Sequence, residues 1–446
     1  MTQVGILGGG PAGLLMAVLL AKRGHGVQVF ERRADPRLAT ADAGRSINLA
    51  LAARGIRALR EAGVMPALQD HLVPMRGRQL HNKDGSELFA AYSQHEDEFI
   101  FSVSRSLLTR GLTQIAADTA GVRLHFNHAC TGLAADCSPL LQDSLQHALP
   151  VPHLSRWIAA DGAGSAVRHA LQARGVLQSK EQYIEHDYKE LDIPAGSPLV
   201  REALHIWPRG GFMLIALPNA DGSFTATLFL ARDGAVSFAA LQTDEAVQQF
   251  FASEFADVAS LIPALAAQFA AHPQSRLGSV YAAPWHLDEE LLLIGDAAHA
   301  MVPFHGQGMN CAFEDCRILD ELLADGQPGP FARFSMQRKP DADAIVQMAL
   351  ENHAEMSDSV RSARFNLQRE LALQLQRRHP QHFVPRYSMV TFRDDIGYAT
   401  ALNRGRVQQQ LLDEMTLPAN DGSLPTAADL NWAHWDAQVV ARLTPL

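Results

Sequence analysis

The 446-residue sequence is poor in cysteine and in positive charge, with four cysteines and a net charge of −10 at pH 7. The cysteines lack the paired spacing of a zinc site, and we interpret them as buried free thiols rather than disulfides. None of the 19 histidines belongs to a recognisable ligand motif, so we predict no metal site. The charge balance and the lack of a dense basic cluster argue against a nucleic-acid-binding surface.

Long hydrophobic runs are also missing. Arg, Asp or Gly interrupts each apolar stretch well before the roughly 20 residues that a membrane span needs. The first residues lead directly into a predicted strand, so we expect no signal peptide, no transmembrane segment and a cytoplasmic location. The remaining composition, 47% apolar and 19% charged, is typical of a globular enzyme with two or three domains.

The start of the chain carries a βαβ pattern with a glycine motif. A short apolar strand is followed by G-x-G-x-x-G at Gly8, Gly10 and Gly13, then by an Ala/Leu-rich helix and a second strand that ends at Glu31. The first glycine permits a tight turn, the second allows a pyrophosphate to approach, and the third lets helix and strand pack. The helix N-terminus attracts phosphate, and Glu31 can accept hydrogen bonds from a ribose diol. We therefore predict a dinucleotide site.

The middle of the chain changes from buried to alternating strands. Residues 203–207, 212–217 and 224–230 alternate in hydrophobicity and are separated by turn-forming residues, which predicts an antiparallel meander. Residues 290–296 return to a buried parallel strand, so the first domain is expected to be discontinuous. We predict a peripheral hairpin within residues 131–156. The chain after about residue 340 is predicted to be helical, with a poorly ordered tail after Thr416.

A second glycine loop indicates flavin rather than NAD. Asp296 follows the buried strand and can bind a polyol hydroxyl. The glycines after it lead into a helix beginning near Met309, whose free N–H groups would face the flavin edge that becomes negative on reduction. NAD would have no use for an acid and a helix terminus so far along the chain.

These motifs resemble the FAD-dependent aromatic hydroxylases of the p-hydroxybenzoate hydroxylase type, and five segments narrow the resemblance to the kynurenine 3-monooxygenase family. They are RSINLAL at 45–51, LHIWP at 204–208, TLF at 227–229, VPFHGQGMN at 302–310 and RYSMVTF at 386–392. The last two are highly specific. The resemblance extends to about residue 400 and does not include the C-terminal membrane anchor of eukaryotic relatives.

The resemblance implies hydroxylation of L-kynurenine at ring carbon 3 by a flavin C4a-hydroperoxide, with FAD as cofactor and NADPH and O2 as co-substrates. It implies an α/β fold in which a Rossmann-type FAD-binding domain carries an antiparallel-sheet substrate domain and a C-terminal helical region. The expected boundaries are 1–75, 100–185 and 276–340 for the first domain, 76–99 and 186–275 for the second, and 341–446 for the third. The oligomeric state is left open, with a homodimer as one option.

Site residues follow from the resemblance and from residue chemistry. The flavin contacts implied by the family, in addition to Gly8, Gly10 and Gly13, are Ala12, Glu31, Arg33, Ala50, Arg105, Asp296, Met309 and Asn310, with weaker matches at Cys130 and Ala166. The implied substrate contacts are Arg78, Tyr92, Asn352 and Tyr387.

The chemistry of these side chains suits an amino acid with an aryl ketone. Arg78 could pair bidentately with a carboxylate, although Arg76 is equally placed by sequence. Asn352 interrupts a thioether stripe of Met348 and Met356 on one helix face, so we include Met356 among the substrate contacts. The apolar cage over the ring is predicted to be Leu204, Ile206, Met213, Ile215, Leu217, Phe229 and Phe304.

No side chain needs to act as a nucleophile, because the aniline nitrogen activates its ortho carbon. The enzyme must hold that carbon and exclude water. Phe304 and His305 are the catalytic candidates at this position, and His305 has either a proton-moving or a purely structural role. The alternatives are a related hydroxylase for another aryl-amine or indole-derived metabolite, and a flavin-binding sensor without turnover. A flavin halogenase is disfavoured because no W-x-W-x-I-P segment is present.

Overall fold

The computed structural model describes residues 2–38, 48–93, 95–358, 363–419 and 422–446, with the side chains of residues 354–358 outside the description. The strands are β1 (Gln3–Leu7), β2 (Gly26–Glu31), β3 (Asn48–Leu51), β4 (Val73–Met75), β5 (Gly77–His81), β6 (Glu87–Ala91), β7 (Ile100–Ser104), β8 (Val122–Phe126), β9 (Ala129–Leu133), β10 (Pro139–Gln142), β11 (Ala148–Leu149), β12 (Arg156–Ala159), β13 (Gln178–Ile193), β14 (Ala203–Pro208), β15 (Met213–Pro218), β16 (Phe224–Ala231), β17 (Ser275–Ala283), β18 (His286–Leu287) and β19 (Leu291–Leu293).

The helices surround these strands and make up most of the C-terminal region. They are α1 (Pro11–Lys22), α2 (Ala53–Glu61), α3 (Met65–Leu68), α4 (Arg105–Asp118), α5 (Ala166–Ala173), α6 (Asp244–Glu254), α7 (Ala256–Ala259), α8 (Leu265–Ala271), α9 (Asp296–His299), α10 (Gly308–Ala324), α11 (Pro330–Asp358), α12 (Ala363–Arg378), α13 (Arg386–Phe392), α14 (Tyr398–Met415) and α15 (Trp432–Arg442). In the described part of the chain, none of them is both long and apolar enough to cross a membrane.

Two main sheets organise the molecule. The first has the order β18-β19-β12-β1-β2-β8 and is parallel except at the β18–β19 edge. The second has the order β17-β13-β16-β15-β14-β5-β6 and is antiparallel except for the β14–β5 pair. The predicted meander is β14-β15-β16, and the predicted return to the parallel sheet is β19. The domain boundaries themselves stay a prediction.

Two smaller sheets complete the architecture. The order β3-β7-β4 is antiparallel, and β7 leads directly into α4, which begins at Arg105. The segment predicted as a peripheral hairpin is a three-stranded sheet of order β11-β10-β9.

The glycine turn after β1 has the conformation that its motif predicts. Gly8 has a φ of +106°, and its amide donates to the Phe30 carbonyl at 2.8 Å. A Cβ at Gly13 would lie 2.0 Å from the Gly8 carbonyl oxygen, so α1 can pack this close to the turn only with glycine there. Helix α1 is buried from Gly13 to Ala21 between the parallel sheet, α4 and α10.

The C-terminal tail contradicts the prediction of disorder. Val439 of α15 and Leu443, which directly follows this helix, pack into a core with Leu371 and Leu375 of α12, and all four side chains are buried. The prediction was wrong because the stabilising partners of α15 belong to the separate helices α12 and α14, and the local composition of the tail gives no signal of that packing.

This packing predicts that the tail contributes to stability. Leu443→Ala should lower the free energy of unfolding by about 2–5 kcal/mol, because it removes a buried side chain and leaves a cavity. Val440→Ala on α15 removes a side chain that is 53% exposed and is the matched control, with an effect within about 0.5 kcal/mol. Thermal or urea unfolding measures both, and equal stabilities would contradict the packing.

Candidate active site

A cavity of about 410 Å³ lies between the carboxyl ends of β1, β12 and β19 and one face of the antiparallel sheet. Ligands of open parallel sheets bind at such an edge, where the connections diverge. Strands β14, β15 and β16 contribute the opposite wall. The cavity is therefore bordered both by the predicted nucleotide-binding loops and by the predicted antiparallel meander.

The cavity wall carries six of the predicted flavin contacts. They are Gly10, Ala12, Ala50, Arg105, Asp296 and Met309. The N-terminus of α10 lies here, so its free amides and positive dipole end are at the wall, as the second glycine loop predicted.

Glu31 and its neighbours lie outside the cavity wall. The Glu31 carboxylate accepts hydrogen bonds from the Gly9 amide at 2.7 Å and the Arg33 amide at 2.9 Å, which joins the glycine turn to the end of β2. Cys130 is half-buried, and its thiol lies 3.5 Å from the Gly132 carbonyl. Burial raises the pKa of Cys130 to about 12, so the thiol is protonated at neutral pH.

Asn310 is fully buried and bridges two segments of the flavin wall. Its Oδ1 accepts from the Ala52 amide at 2.8 Å, and its Nδ2 donates to the Ala50 and Gly306 carbonyls at 2.8 and 2.9 Å. The side chain thus links β3 to the loop before α10. Because all three hydrogen bonds go to backbone atoms, Asn310 fixes the relative position of these two segments.

A second group of residues on the cavity wall combines an arginine with three stacked rings. Tyr387 stacks with Tyr92 and with His305, and each pair has ring centroids 5.6 Å apart. The Arg78 guanidinium lies 4.6 Å from the Tyr387 ring centroid and 5.6 Å from that of Tyr92. Arg76, by contrast, faces outwards and pairs with Glu202 at 3.0 Å. The structure therefore distinguishes the two arginines that the sequence left equivalent.

His305 is a neutral side chain on the cavity wall. Burial lowers the pKa of His305 to about 3, and the nearby cations Arg386 and Arg78 act in the same direction. Its Nδ1 is buried and has no hydrogen-bond partner among the described residues. A neutral imidazole can accept or donate one hydrogen bond to a ligand, but it brings no charge to the site at neutral pH.

The predicted apolar cage is largely present. Its members on the wall are Leu204, Met213, Ile215, Leu217, Phe229 and Phe304, whereas Ile206 is buried behind them. Asn352 lies behind Phe304 and donates from Nδ2 to the Phe304 carbonyl at 2.6 Å, so it supports the loop that carries Phe304 and His305. The side chain of Met356 and residues 45–47 of the RSINLAL segment lie outside the described residues.

Comparison with known proteins identifies the family. A family model described as FAD binding domain matches residues 1–349. A kynurenine 3-monooxygenase of Stenotrophomonas maltophilia (strain K279a) is 45% identical over 454 residues, covering 100% of this chain and 98% of that protein. The chain belongs to the kynurenine 3-monooxygenase family. A second member, from Xanthomonas euvesicatoria pv. vesicatoria (strain 85-10), is 46% identical over 449 residues, with 99% and 97% covered.

Solved structures support the fold of this kynurenine 3-monooxygenase family member. A variant of 2-methyl-3-hydroxypyridine-5-carboxylic acid oxygenase matches with a TM-score of 0.66 at 18% identity, covering 81% of this chain and 94% of the other. The p-nitrophenol 4-monooxygenase of Pseudomonas putida DLL-E4 matches with the same TM-score and identity, covering 85% and 97%. The predicted fold, an FAD-binding α/β monooxygenase fold with a helical C-terminal region, is confirmed.

FAD is the cofactor of this family, and the residues present fit it. A Cβ at Gly10 would meet no atom within 4 Å, so the turn leaves open space where a pyrophosphate would approach. Asp296 is on the same cavity wall and would bind a polyol hydroxyl, and Gly308 and Met309 at the start of α10 also line the cavity, where free amides would stabilise a negative flavin edge. The glycine turn, Asp296 and the start of α10, which would hold FAD, therefore all border one cavity.

Sequence reasoning missed a buried polar network behind the flavin wall of this monooxygenase. Arg54 on α2 pairs with Glu314 of α10 at 2.8 Å, and its guanidinium lies 3.9 Å from the centre of the Tyr398 ring. The Tyr398 hydroxyl donates to Gln307 at 2.9 Å, in the loop that leads into α10. No local motif marks these side chains as buried, because each is satisfied only by residues from distant parts of the chain.

Proposed function

We propose that the protein hydroxylates L-kynurenine at ring carbon 3. One O2 and one NADPH are consumed with a proton, one oxygen atom enters the ring to give 3-hydroxy-L-kynurenine, and the other leaves as water with NADP⁺. The observation that carries the proposal is the cluster of Arg78, Tyr92 and Tyr387 on the wall of the cavity that also carries predicted FAD contacts.

The cluster of Arg78, Tyr92 and Tyr387 supplies the groups that the carboxylate of an amino-acid substrate requires. The Arg78 guanidinium binds the carboxylate, and the hydroxyls of Tyr92 and Tyr387, whose rings adjoin it, can donate to the same group. Burial raises the pKa of the Tyr92 hydroxyl, and the neighbouring Tyr387 raises it further. The hydroxyl therefore keeps its proton and can donate it in a hydrogen bond. A substrate without this head would forgo the charge-assisted hydrogen bonds that the Arg78 guanidinium can make to a carboxylate.

The walls of the cavity hold the ring and keep out water. Phe229 and Phe304 lie with ring centroids 5.1 Å apart and border the cavity beside the apolar side chains of β14 and β15. When bound, FAD supplies the activated oxygen. The protein orients the ring carbon toward it and excludes the water that would divert the reaction to H2O2. Asn352 holds the Phe304 backbone in place, and the neutral His305 offers a hydrogen bond beside the ring.

We further propose that NADPH binds only transiently and that the enzyme works in the cytoplasm. A homodimer is the assembly that we propose to test. The family resemblance supports the role of NADPH, and the composition of the chain supports the location. Light scattering of the purified holoenzyme measures the assembly directly, and a monomer at assay concentration would contradict the homodimer.

NADPH oxidation by the holoenzyme tests the substrate class. We expect L-kynurenine to stimulate oxidation strongly, whereas 2-aminoacetophenone, which keeps the aniline and ketone but lacks the amino-acid head, should stimulate it weakly. Equal stimulation by both would favour a hydroxylase for another aryl-amine. Stimulation by neither, in a yellow protein, would favour a flavin-binding sensor.

A further inference from the structure

Asp315 is a fully buried carboxylate that touches neither the cavity nor any predicted site residue's side chain. It lies on α10, two turns after the glycine loop. One oxygen, Oδ2, accepts from the Gly295 amide at 3.0 Å and from His299 Nε2 at 2.6 Å. The other, Oδ1, accepts from Arg338 Nε at 2.9 Å. Three donors from two separate segments thus converge on one side chain.

Two of these donors belong to the turn that carries Asp296. Gly295 precedes α9, and His299 is the last residue of that four-residue helix. Asp315 therefore clamps the turn at both ends, by the amide in front of it and by the imidazole behind it. Asp296 lies between the two clamped points and is on the cavity wall.

Gly295 is the conformationally free residue of this turn, and the hydrogen bond from its amide to Asp315 holds it in one conformation. Its φ of +57° and ψ of −140° are accessible to glycine and strained for other residues. A Cβ there would lie 3.1 Å from the Cβ of Ala312 on α10. A backbone with this freedom has many alternatives, and the Asp315 carboxylate selects the one that directs Asp296 into the cavity.

The clamp remains charged in the folded protein. Burial opposes ionisation of both partners, but Asp315 and Cys311 raise the pKa of His299 well above its usual range. His299 and Arg338 in turn lower the pKa of Asp315 despite its burial. His299, Cys311 and Asp315 place ligand-type atoms within 4.8 Å of one another, yet the Arg338 guanidinium already supplies the cation beside this carboxylate.

We propose that Asp315 is a positioning residue for FAD, which acts through Gly295 and His299 to hold Asp296 against the polyol chain. The proposal depends on FAD binding and is independent of the identity of the substrate. A protein that bound FAD normally but ignored kynurenine would leave it intact.

The test is a double-mutant cycle on FAD affinity. FAD is titrated into the apoprotein, with flavin fluorescence as the readout, for Asp315→Asn, Asp296→Ala and the double variant. Asp315→Asn keeps the side-chain shape but cannot pair with both cations, and we expect it to raise the Kd for FAD by about tenfold. Asp320→Asn on the same helix, which breaks only a pair with Arg23 at the surface, is the matched control and should leave the Kd unchanged.

The coupling between the two sites decides the outcome. If Asp315 acts through Asp296, the double variant should bind FAD no more weakly than Asp296→Ala alone, because the positioned side chain is already gone. Independent, multiplying effects on the Kd would overturn the proposal, since they are what general destabilisation produces. If Asp315→Asn does not yield folded apoprotein, His299→Gln takes its place in the same cycle, with the same two outcomes.

Discussion

Replacing Arg78 by alanine should raise the KM for L-kynurenine by about 100-fold, with a much smaller change in kcat. Hydrogen bonds to a charged group contribute up to about 3 kcal/mol, and each 1.36 kcal/mol is a factor of ten in affinity. The carboxylate is equally bound in the ground state and the transition state, since the reaction occurs at the ring. Its loss therefore falls mainly on KM.

Arg76 provides the control for this variant. It lies two residues away, carries the same charge, and pairs with Glu202 at the surface, where its side chain is 49% exposed. Arg76→Ala should leave KM and kcat unchanged, because exposed ion pairs contribute little. Steady-state kinetics measures both variants. If the two behaved alike, Arg78 would not be the carboxylate-binding residue.

Substitutions in the glycine turn should separate FAD binding from folding. Gly10→Ala adds a methyl group that meets no protein atom within 4 Å, at a position on the cavity wall with an ordinary negative φ of −74°. The apoprotein should unfold at the same temperature as the parent, whereas the Kd for FAD should rise by roughly 10- to 100-fold as the methyl group meets the pyrophosphate.

Gly13→Ala should have the opposite effect. Its Cβ would lie 2.0 Å from the Gly8 carbonyl oxygen, a backbone atom that cannot move without shifting the turn or α1. Overpacking of this kind costs about 1–3 kcal/mol or more, and the apoprotein should lose several degrees in Tm. Gly164→Ala, where the added methyl group also meets nothing within 4 Å, is the control for both experiments. Equal loss of apoprotein stability in Gly10→Ala and Gly13→Ala would contradict this account of the turn.

The features that the sequence predicts well are those with local physical causes. The turn at Gly8 follows from backbone sterics, and the β14-β15-β16 meander follows from alternation between turn-forming residues. Asp296 and the start of α10 follow from a strand end and a glycine loop. In each case the pattern and its cause lie within one continuous segment of the chain.

The features that the sequence does not predict depend on distant partners. Arg338 sits in the middle of a long helix, where an arginine is usually exposed, and is buried only because Glu314 and Asp315 face it. The polar side chain of Asn310 joins β3 to the loop before α10, a role that spacing cannot reveal. The tail helix α15 is likewise ordered by its packing against α12 and α14.

Product analysis under heavy-isotope O2 tests the central claim most directly. The holoenzyme is incubated with L-kynurenine and NADPH, and the product is identified by mass spectrometry and NMR. We predict a single product, 3-hydroxy-L-kynurenine, that carries one heavy oxygen atom at ring carbon 3 and forms in proportion to the NADPH consumed. NADPH consumption that yields only H2O2, or an unchanged substrate, would contradict the account.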